Sequence, residues 1–276
     1  MSVRTVGLVP HPSRDQAAAL VARATERLAA HGIEVRTPIA EGGTDLDTDG
    51  LDVVISLGGD GTMLRAVDTA YEAGVPVLGV NVGQMGYLTE VEPSEFDAAL
   101  DRLVVGDFEV AERMVLEMTV ESSGSAKGRW FALNEAVLEK VHTGRLVRLE
   151  VDINGTFFTT YAADGVIVAT PTGSTAYSFS ARGPIVSPRH RCLLLTPVSP
   201  HMLFDRSLVL APEEILRFVV CDDRSVVLTA DGRELGDLAA GDTVSCRGGD
   251  RPARIVTFGP RDFHQILKAK FGLADR

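Results

Sequence analysis

The stretch Leu51–Leu64, LDVVISLGGDGTML, limits the fold more than any other part of the chain. Val53, Val54, Ile55 and Leu57 form a short apolar run of the kind that fills a strand buried on both faces. The chain then turns through Gly58-Gly59-Asp60-Gly61-Thr62 and enters a helical pattern that runs to about Ala73. Three glycines in four positions open backbone conformations closed to other residues and let a ligand come close to the main chain. Thr62 reads as the helix N-cap, with unpaired N–H groups facing whatever lies beyond the strand. Gly58, Gly59, Gly61 and Thr62 are therefore candidates for a phosphate loop. Asp60 does not fit a plain anion site, because a carboxylate repels phosphate. It points instead to a metal ion or to proton acceptance from a hydroxyl, with a solvated turn residue as the simpler alternative. No Gly-Lys-Ser/Thr follows and G-x-G-x-x-G is incomplete, so this is neither a P-loop nor a dinucleotide fingerprint.

The flanking sequence supplies the rest of an α/β unit. Thr5–Val9 and Ile33–Arg36 read as strands around a helix over 14–31, whose stripe Leu20, Val21, Ala24 and Leu28 stops at Gly32. Val75–Val80 is a further strand and Ser94–Leu103 a helix with Phe96, Leu100 and Leu103 on one face. Strands alternating with helices predict a parallel sheet, with ligands beyond the carboxyl ends of its strands. The loops at His11, Asp60 and Asn81 all lie at that edge. Asp45-x-Asp47-x-Asp49-Gly50 opens like a calcium loop, but its twelfth position is Ser56 and a strand follows, so it reads as an acidic surface loop.

After about Arg113 the pattern changes to strand upon strand. Val115–Val120, Trp130–Glu139, Leu146–Ile153, Thr156–Tyr161, Val166–Ala169, Leu193–Pro197, Ile215–Val220, Val226–Ala230, Thr243–Cys246 and Ile255–Phe258 all qualify. Asn154-Gly155 and Asp231-Gly232 are hairpin turns, and Gly248-Gly249-Asp250 is read as a turn as well. The expected division is an α/β domain over 1–112 and a β-rich domain over 113–258, with a closing helix over Asp262–Phe271. A net charge of −11 argues against nucleic acid or an anionic membrane as partner. Three cysteines without C-x-x-C spacing point to a reducing compartment, and the absence of a signal peptide or an 18-residue apolar span to the cytoplasm.

Two places in the β-rich half carry more polarity than a core needs. Asn134 and Glu135 interrupt the apolar run Trp130–Leu138, and side-chain alternation turns one of them away from the core. They read either as a sheet-end group beside a solvated carboxylate or as a clamp for two adjacent ribose hydroxyls. The second place is Asp164–Ser180. There a buried strand enters a loop with Thr170, Thr172, Ser174, Thr175, Ser178 and Ser180 around Gly173, and Tyr177 offers a flat face to a base. So many small hydroxyl residues favour a nucleotide loop over a helix cap.

Gly58–Thr62, Asn134-Glu135, Asp164-Gly165 and Thr170-Pro171-Thr172-Gly173-Ser174-Thr175-Ala176-Tyr177-Ser178, taken together, resemble the NAD kinase family. The match continues through Gly183–Val186, Pro197, His201, Phe204–Ser207 and Asp231-Gly232-Arg233. Diacylglycerol kinases, sphingosine kinases and phosphofructokinases share the glycine–aspartate turn, but the Thr170–Ser178 loop is specific. The resemblance implies a parallel sheet like that of phosphofructokinase or diacylglycerol kinase, a β-rich NAD-binding domain, and a segment 259–276 returning to the first. It implies transfer of the terminal phosphoryl group of ATP, or of polyphosphate, to the 2′-hydroxyl of the adenosine ribose of NAD, with Mg²⁺ present. Asp60 would take the hydroxyl proton. Asp60, Gly61, Arg65, Asn134, Glu135, Arg145, Asp164, Thr175, Ala176, Tyr177, Ser178 and Ser180 match positions that hold NAD. A homodimer or homotetramer is implied, with Asp164 completing a neighbour's site. The chain departs from the pattern at Arg182, where members often have Gly, at Gln84-Met85 and Tyr87, and at Ala162, where some have Arg. The alternatives are a lipid kinase of the diacylglycerol type, against which the Asn81–Tyr87 loop stands, and a non-catalytic NAD(H) sensor, which would not need Asp60.

Overall fold

The computed structural model describes residues 3–38, 46–83, 86–142, 144–260 and 262–273. The chain divides into two units, Met1–Glu112 with Ala253–Arg276, and Arg113–Pro252. In the first, β1 (Thr5–Pro10), β2 (Glu34–Arg36), β3 (Val53–Gly58), β4 (Val77–Asn81), β5 (Glu109–Arg113) and β18 (Ala253–Thr257) form one sheet in the order β2-β1-β3-β4-β18-β5. The β1–β2, β1–β3, β3–β4 and β4–β18 pairs are parallel. Every residue of β3 is buried because helices cover both faces. Leu20, Ala24 and Leu28 of α1 (Asp15–Ala30) join Phe96, Leu100 and Leu103 of α3 (Phe96–Val105) over Val53, Ile55 and Leu57. The other face takes α2 (Asp60–Tyr71), with Met63, Ala66, Val67 and Ala70 buried. From β1 the chain steps one way to β2 and the other way to β3. This is the strand-order reversal at which open α/β sheets hold their ligands.

The second unit holds two sheets whose pairs are antiparallel. The strands are β6 (Leu116–Glu121), β7 (Gly128–Ala132), β8 (Glu135–Lys140), β9 (Val147–Ile153), β10 (Thr156–Ala163) and β11 (Gly165–Ala169). They continue with β12 (Leu193–Val198), β13 (Leu208–Leu210), β14 (Leu216–Val220), β15 (Val226–Ala230), β16 (Arg233–Leu238) and β17 (Thr243–Gly248). One sheet runs β10-β9-β14-β17-β6-β7 and the other β13-β12-β11-β8-β15-β16. Leu116, Met118, Leu149, Val151, Tyr161 and Phe218 from the first share one core with Leu138, Val166, Val168, Leu193 and Leu228 from the second. Asn154-Gly155 and Asp231-Gly232 turn their hairpins with φ of 54° and 76°, and 50° and 76°, the two left-handed residues that tight hairpins demand.

Two expectations fail. The pattern places Ile255–Phe258 in the β-rich half, but β18 lies in the first sheet with Ile255 opposite Val77. Its apolar run looks like its predecessors, and only long-range pairing separates it from them. The apolar run Trp130–Glu139 predicts one strand. Instead β7 ends one sheet and β8 begins in the other, with Leu133 and Asn134 as the corner. The Asp231 carboxylate accepts the N–H groups of Leu133 (2.7 Å), Asn134 (2.7 Å) and Glu135 (3.1 Å), satisfying main-chain donors released from a ladder. α5 (Phe263–Phe271) closes the chain, and its N-cap is Asp262, which accepts from His264 N–H.

Candidate active site

The glycine turn joins β3 to α2 and fixes one carboxylate. Gly59, not Thr62, is the N-cap of α2, and helical structure begins at Asp60. Thr62 is the third helical residue and is buried, its hydroxyl packed so closely on Gly58 that a Cβ there would lie 2.1 Å from Oγ1. The Thr62 hydroxyl therefore packs on Gly58, and no side chain caps the helix. At Gly59 and Gly61 an added Cβ would meet nothing within 4 Å, so no neighbouring group demands glycine and the room is open to a ligand. Asp60 is not a solvated turn residue. Its Oδ2 accepts the Tyr87 N–H at 2.9 Å and its Oδ1 the Leu88 N–H at 3.0 Å. Gly86 comes close enough that a Cβ would lie 2.2 Å from Oδ1. Arg65, one turn further along α2, donates through Nη2 to the carbonyl of Pro10 at the end of β1 (3.2 Å). Gln84 and Met85 lie outside the described residues, as does Asp45 of the acidic loop.

In the second unit the 134–135 corner and the Thr170–Ser180 loop come together. Thr170 N–H bonds the Asn134 carbonyl at 2.8 Å, and its Oγ1 bonds the Leu133 carbonyl at 2.6 Å. Gly173 presses on Asn134, where a Cβ would stand 2.2 Å from the carbonyl oxygen. The loop itself folds as a single 3₁₀ turn, Thr172–Thr175, and a four-residue helix α4 (Tyr177–Ser180), with Ala176 between them. Thr175 Oγ1 bonds the Thr172 carbonyl at 3.4 Å, and buried Ser178 shares a hydrogen bond with Thr196 at 3.1 Å. Ser180 is exposed at the end of α4. Arg182 follows with φ of 66°, a left-handed conformation that suits the glycine it replaces.

Glu135 is buried, contrary to its reading as a solvated group. Burial, reinforced by the nearby Asp231 charge and only partly offset by the Tyr177 backbone N–H, pushes its carboxyl up to about 8. Its Oε2 is buried without a hydrogen-bond partner. A protonated carboxyl both donates and accepts, and an orphaned oxygen at this corner suits a ligand hydroxyl. Tyr177 is 37 % exposed and donates to Glu139 Oε2 at 3.3 Å. Its hydroxyl is raised first by burial, then by Glu139, Asp164 and Glu135, which places those carboxylates around the ring. Asp164, at the β10–β11 junction, pairs with Lys140. Lys140, His142, Arg145 and Arg224 line a cavity of about 240 Å³, so Arg145 joins the group through Lys140 rather than through the loop. Asp231, Lys140 and Glu139 were not singled out as site residues from the sequence. Of these, only Asp231 carried a signal, as the first residue of a hairpin turn and of the Asp231-Gly232-Arg233 stretch in the family resemblance, and neither pointed to the corner at Leu133–Glu135.

Among the described residues no group of three or more His, Cys, Asp or Glu is placed to hold a metal ion, and no helix is long and apolar enough to cross a membrane. Residues 37–108 match the family model of the ATP-NAD kinase N-terminal domain and residues 133–258 that of the ATP-NAD kinase C-terminal domain. An NAD kinase of Heliobacterium modesticaldum is 38 % identical over 96 % of this chain and 98 % of its own. Among solved structures, yeast NADH kinase complexed with NADH aligns at a TM-score of 0.89 and 25 % identity, covering 100 % of this chain and 89 % of that one. An NAD kinase from Archaeoglobus fulgidus in complex with ATP aligns at 0.73 and 25 %, covering 98 % and 97 %. Likeness of this extent over both units, in sequence and in fold, assigns the chain to the NAD kinase family.

Proposed function

We propose that the chain transfers the terminal phosphoryl group of ATP to the 2′-hydroxyl of the adenosine ribose of NAD, giving NADP, with Asp60 as the proton acceptor. The observation that carries this reading is the Asp60 carboxylate, immobilised by two backbone N–H groups at the first turn of α2. A solvated turn residue, or a residue needed only for binding, has no use for such fixation, whereas a base must hold its geometry. In the transfer a bond forms between the ribose oxygen and the γ-phosphorus while the bond to the β,γ-bridging oxygen breaks. The hydroxyl proton passes to Asp60.

The nucleoside falls to the other unit. Glu135, with its orphaned Oε2, and Asn134 clamp ribose hydroxyls, and Tyr177 stacks on the base. Thr175, Ala176, Ser178 and Ser180 shape the loop, and Asp164 and Arg145 add hydrogen bonds and charge. Gly58, Gly59, Gly61 and Thr62 border the room at the start of α2, and Arg65 adds a fixed cation there. Asp60 would be the carboxylate to hold a Mg²⁺ bound with the donor's phosphates, since such an ion needs only one or two protein carboxylates. The ion would supply charge neutralisation for phosphoryl transfer. The three free cysteines support the cytoplasm as its compartment. Exposed Phe157 and Phe158 on the edge strand β10 support a homodimer or homotetramer.

The test is purified protein with Mg²⁺ and NAD, offered ATP or polyphosphate, with NADP read by a coupled dehydrogenase. NADP should form with at least one donor and cease on adding EDTA. No NADP from either donor overturns the proposal.

A further inference from the structure

The carboxyl edge of the first sheet also holds Arg14 and His11, two groups that the reaction described above does not use, near Arg65, which it does. Arg14 is the N-terminal residue flanking α1, and its guanidinium lies against the backbone of Gly83. A Cβ at Gly83 would stand 2.1 Å from Arg14 Nη1, and the φ of 146° there is itself a glycine conformation. Among the described residues no carboxylate forms an ion pair with Arg14. His11, at the end of β1, is held below the usual imidazole range by burial first, then by Arg14 and Arg65. Its Nδ1 accepts the Ser13 N–H at 3.3 Å, so the neutral ring carries its proton on Nε2 and presents a donor. Arg65 is anchored on the Pro10 carbonyl. Three basic side chains thus gather at the strand-order reversal beside Gly59 and Gly61, where the backbone leaves open room. Arg14 thus brings a guanidinium and His11 an N–H donor to this edge.

We propose that Arg14 and His11, together with Arg65, bind the non-transferred phosphates of the phosphoryl donor. The inference rests on the phosphotransferase reading and assigns two residues to its donor. The chemistry at this edge is cationic, without an aromatic face for a base among the groups named. The groups suited to a ribose and a base lie instead in residues 113–252. A phosphate chain, from a nucleoside triphosphate or from inorganic polyphosphate, is the ligand class that fits.

The test uses the full chain and two ligands. Arg14→Gln should raise the KM for ATP about 10- to 100-fold, as expected for loss of a charge-assisted contact. The KM for NAD should change less than about 2-fold, below the size of one lost hydrogen bond. Arg14→Lys should recover part of the loss, since it keeps the charge but not the fork. Calorimetry with inorganic tripolyphosphate reads the site without turnover, and Arg14→Gln should weaken that binding to a similar degree. Should Arg14→Gln fail to fold, His11→Ala carries the same two measurements. An unchanged KM for ATP with unchanged tripolyphosphate affinity in the folded variant overturns the proposal, as does an equal rise in the KM for NAD. Wild type that binds tripolyphosphate through Arg14 but makes no NADP would refute the activity and leave this site standing.

Discussion

Replacing Asp60 by Asn separates holding from chemistry, because the carboxylate does both. Each of its oxygens accepts one backbone N–H, from Tyr87 at 2.9 Å and from Leu88 at 3.0 Å. Asparagine keeps the size and one acceptor, but its amide nitrogen then faces a donor. One charge-assisted bond is lost outright and the other weakened, for about 2–4 kcal/mol of local destabilisation. In a chain of this size that lowers Tm by roughly 4–16 °C. The chemical loss is separate: without a base, kcat should fall about 10²- to 10⁴-fold. Affinity for NAD should fall no more than about 10-fold, the worth of one hydrogen bond, because the clamp at Asn134 and Glu135 is untouched. Gly86→Ala is the companion variant. Its Cβ would stand 2.2 Å from Asp60 Oδ1, so it disturbs the seat while leaving the base in place. The assay pairs calorimetric NAD binding with turnover and thermal melts for both variants. Asp60→Asn should lose far more kcat than Gly86→Ala at comparable Tm. Turnover of the Asn variant within about 10-fold of wild type, below the range for a lost general base, would refute the reasoning.

Two further outcomes follow from the second unit. Glu135 titrates near 8 when folded, against an ordinary value of 4.5, so the folded chain keeps a proton that the unfolded chain releases. Stability from this group is therefore full below about pH 4.5 and declines as pH rises to about 8, by at most about 5 kcal/mol; Glu135→Gln should flatten that decline in urea midpoints, and identical slopes would contradict it. Arg182 sits at φ of 66°, where a non-glycine residue costs about 1–2 kcal/mol, partly offset by the flexibility that glycine brings to the unfolded chain. Arg182→Gly should raise Tm by roughly 1–4 °C, and a lower Tm would show that the Arg side chain makes a contact worth more than the backbone relief.

Local signals carried the parts of this molecule whose cause is local. The buried run Val53–Leu57, the glycine turn, the stripe of α1 and the two Asx-Gly hairpins each depend on a few neighbouring residues, and each stands where the sequence places it. The sequence also marks Asp60 as a charge out of place and Thr170–Ser178 as a loop with too many hydroxyls for a cap; in the fold the first is held by two backbone N–H groups and the second packs on Asn134. What could not be read depends on partners far along the chain. Asp231 lies about a hundred residues from the corner it satisfies, and nothing in Asp-Gly distinguishes a turn that only turns from one that also caps Leu133–Glu135. The burial of Glu135 follows from that corner and so was hidden with it. Thr62 misled because a hydroxyl residue after glycines has the composition of a cap, while its close packing on Gly58 is visible only in three dimensions.

The place of β18 bears on how the chain is made. That strand lies between β4 and β5 in the first sheet, yet both of its neighbours leave the ribosome before the whole of residues 113–252. During that interval, on the order of ten seconds at ordinary elongation rates, β4 has an open edge and β5 has no partner at all. An apolar parallel strand with an unfilled edge is a template for pairing with another nascent chain. Synthesis thus passes through a stage in which the unit bearing Asp60 is not closed, and only the release of β18 (Ala253–Thr257) from the ribosome supplies the missing ladder. A slow stretch of codons between residues 113 and 257 would lengthen that exposure.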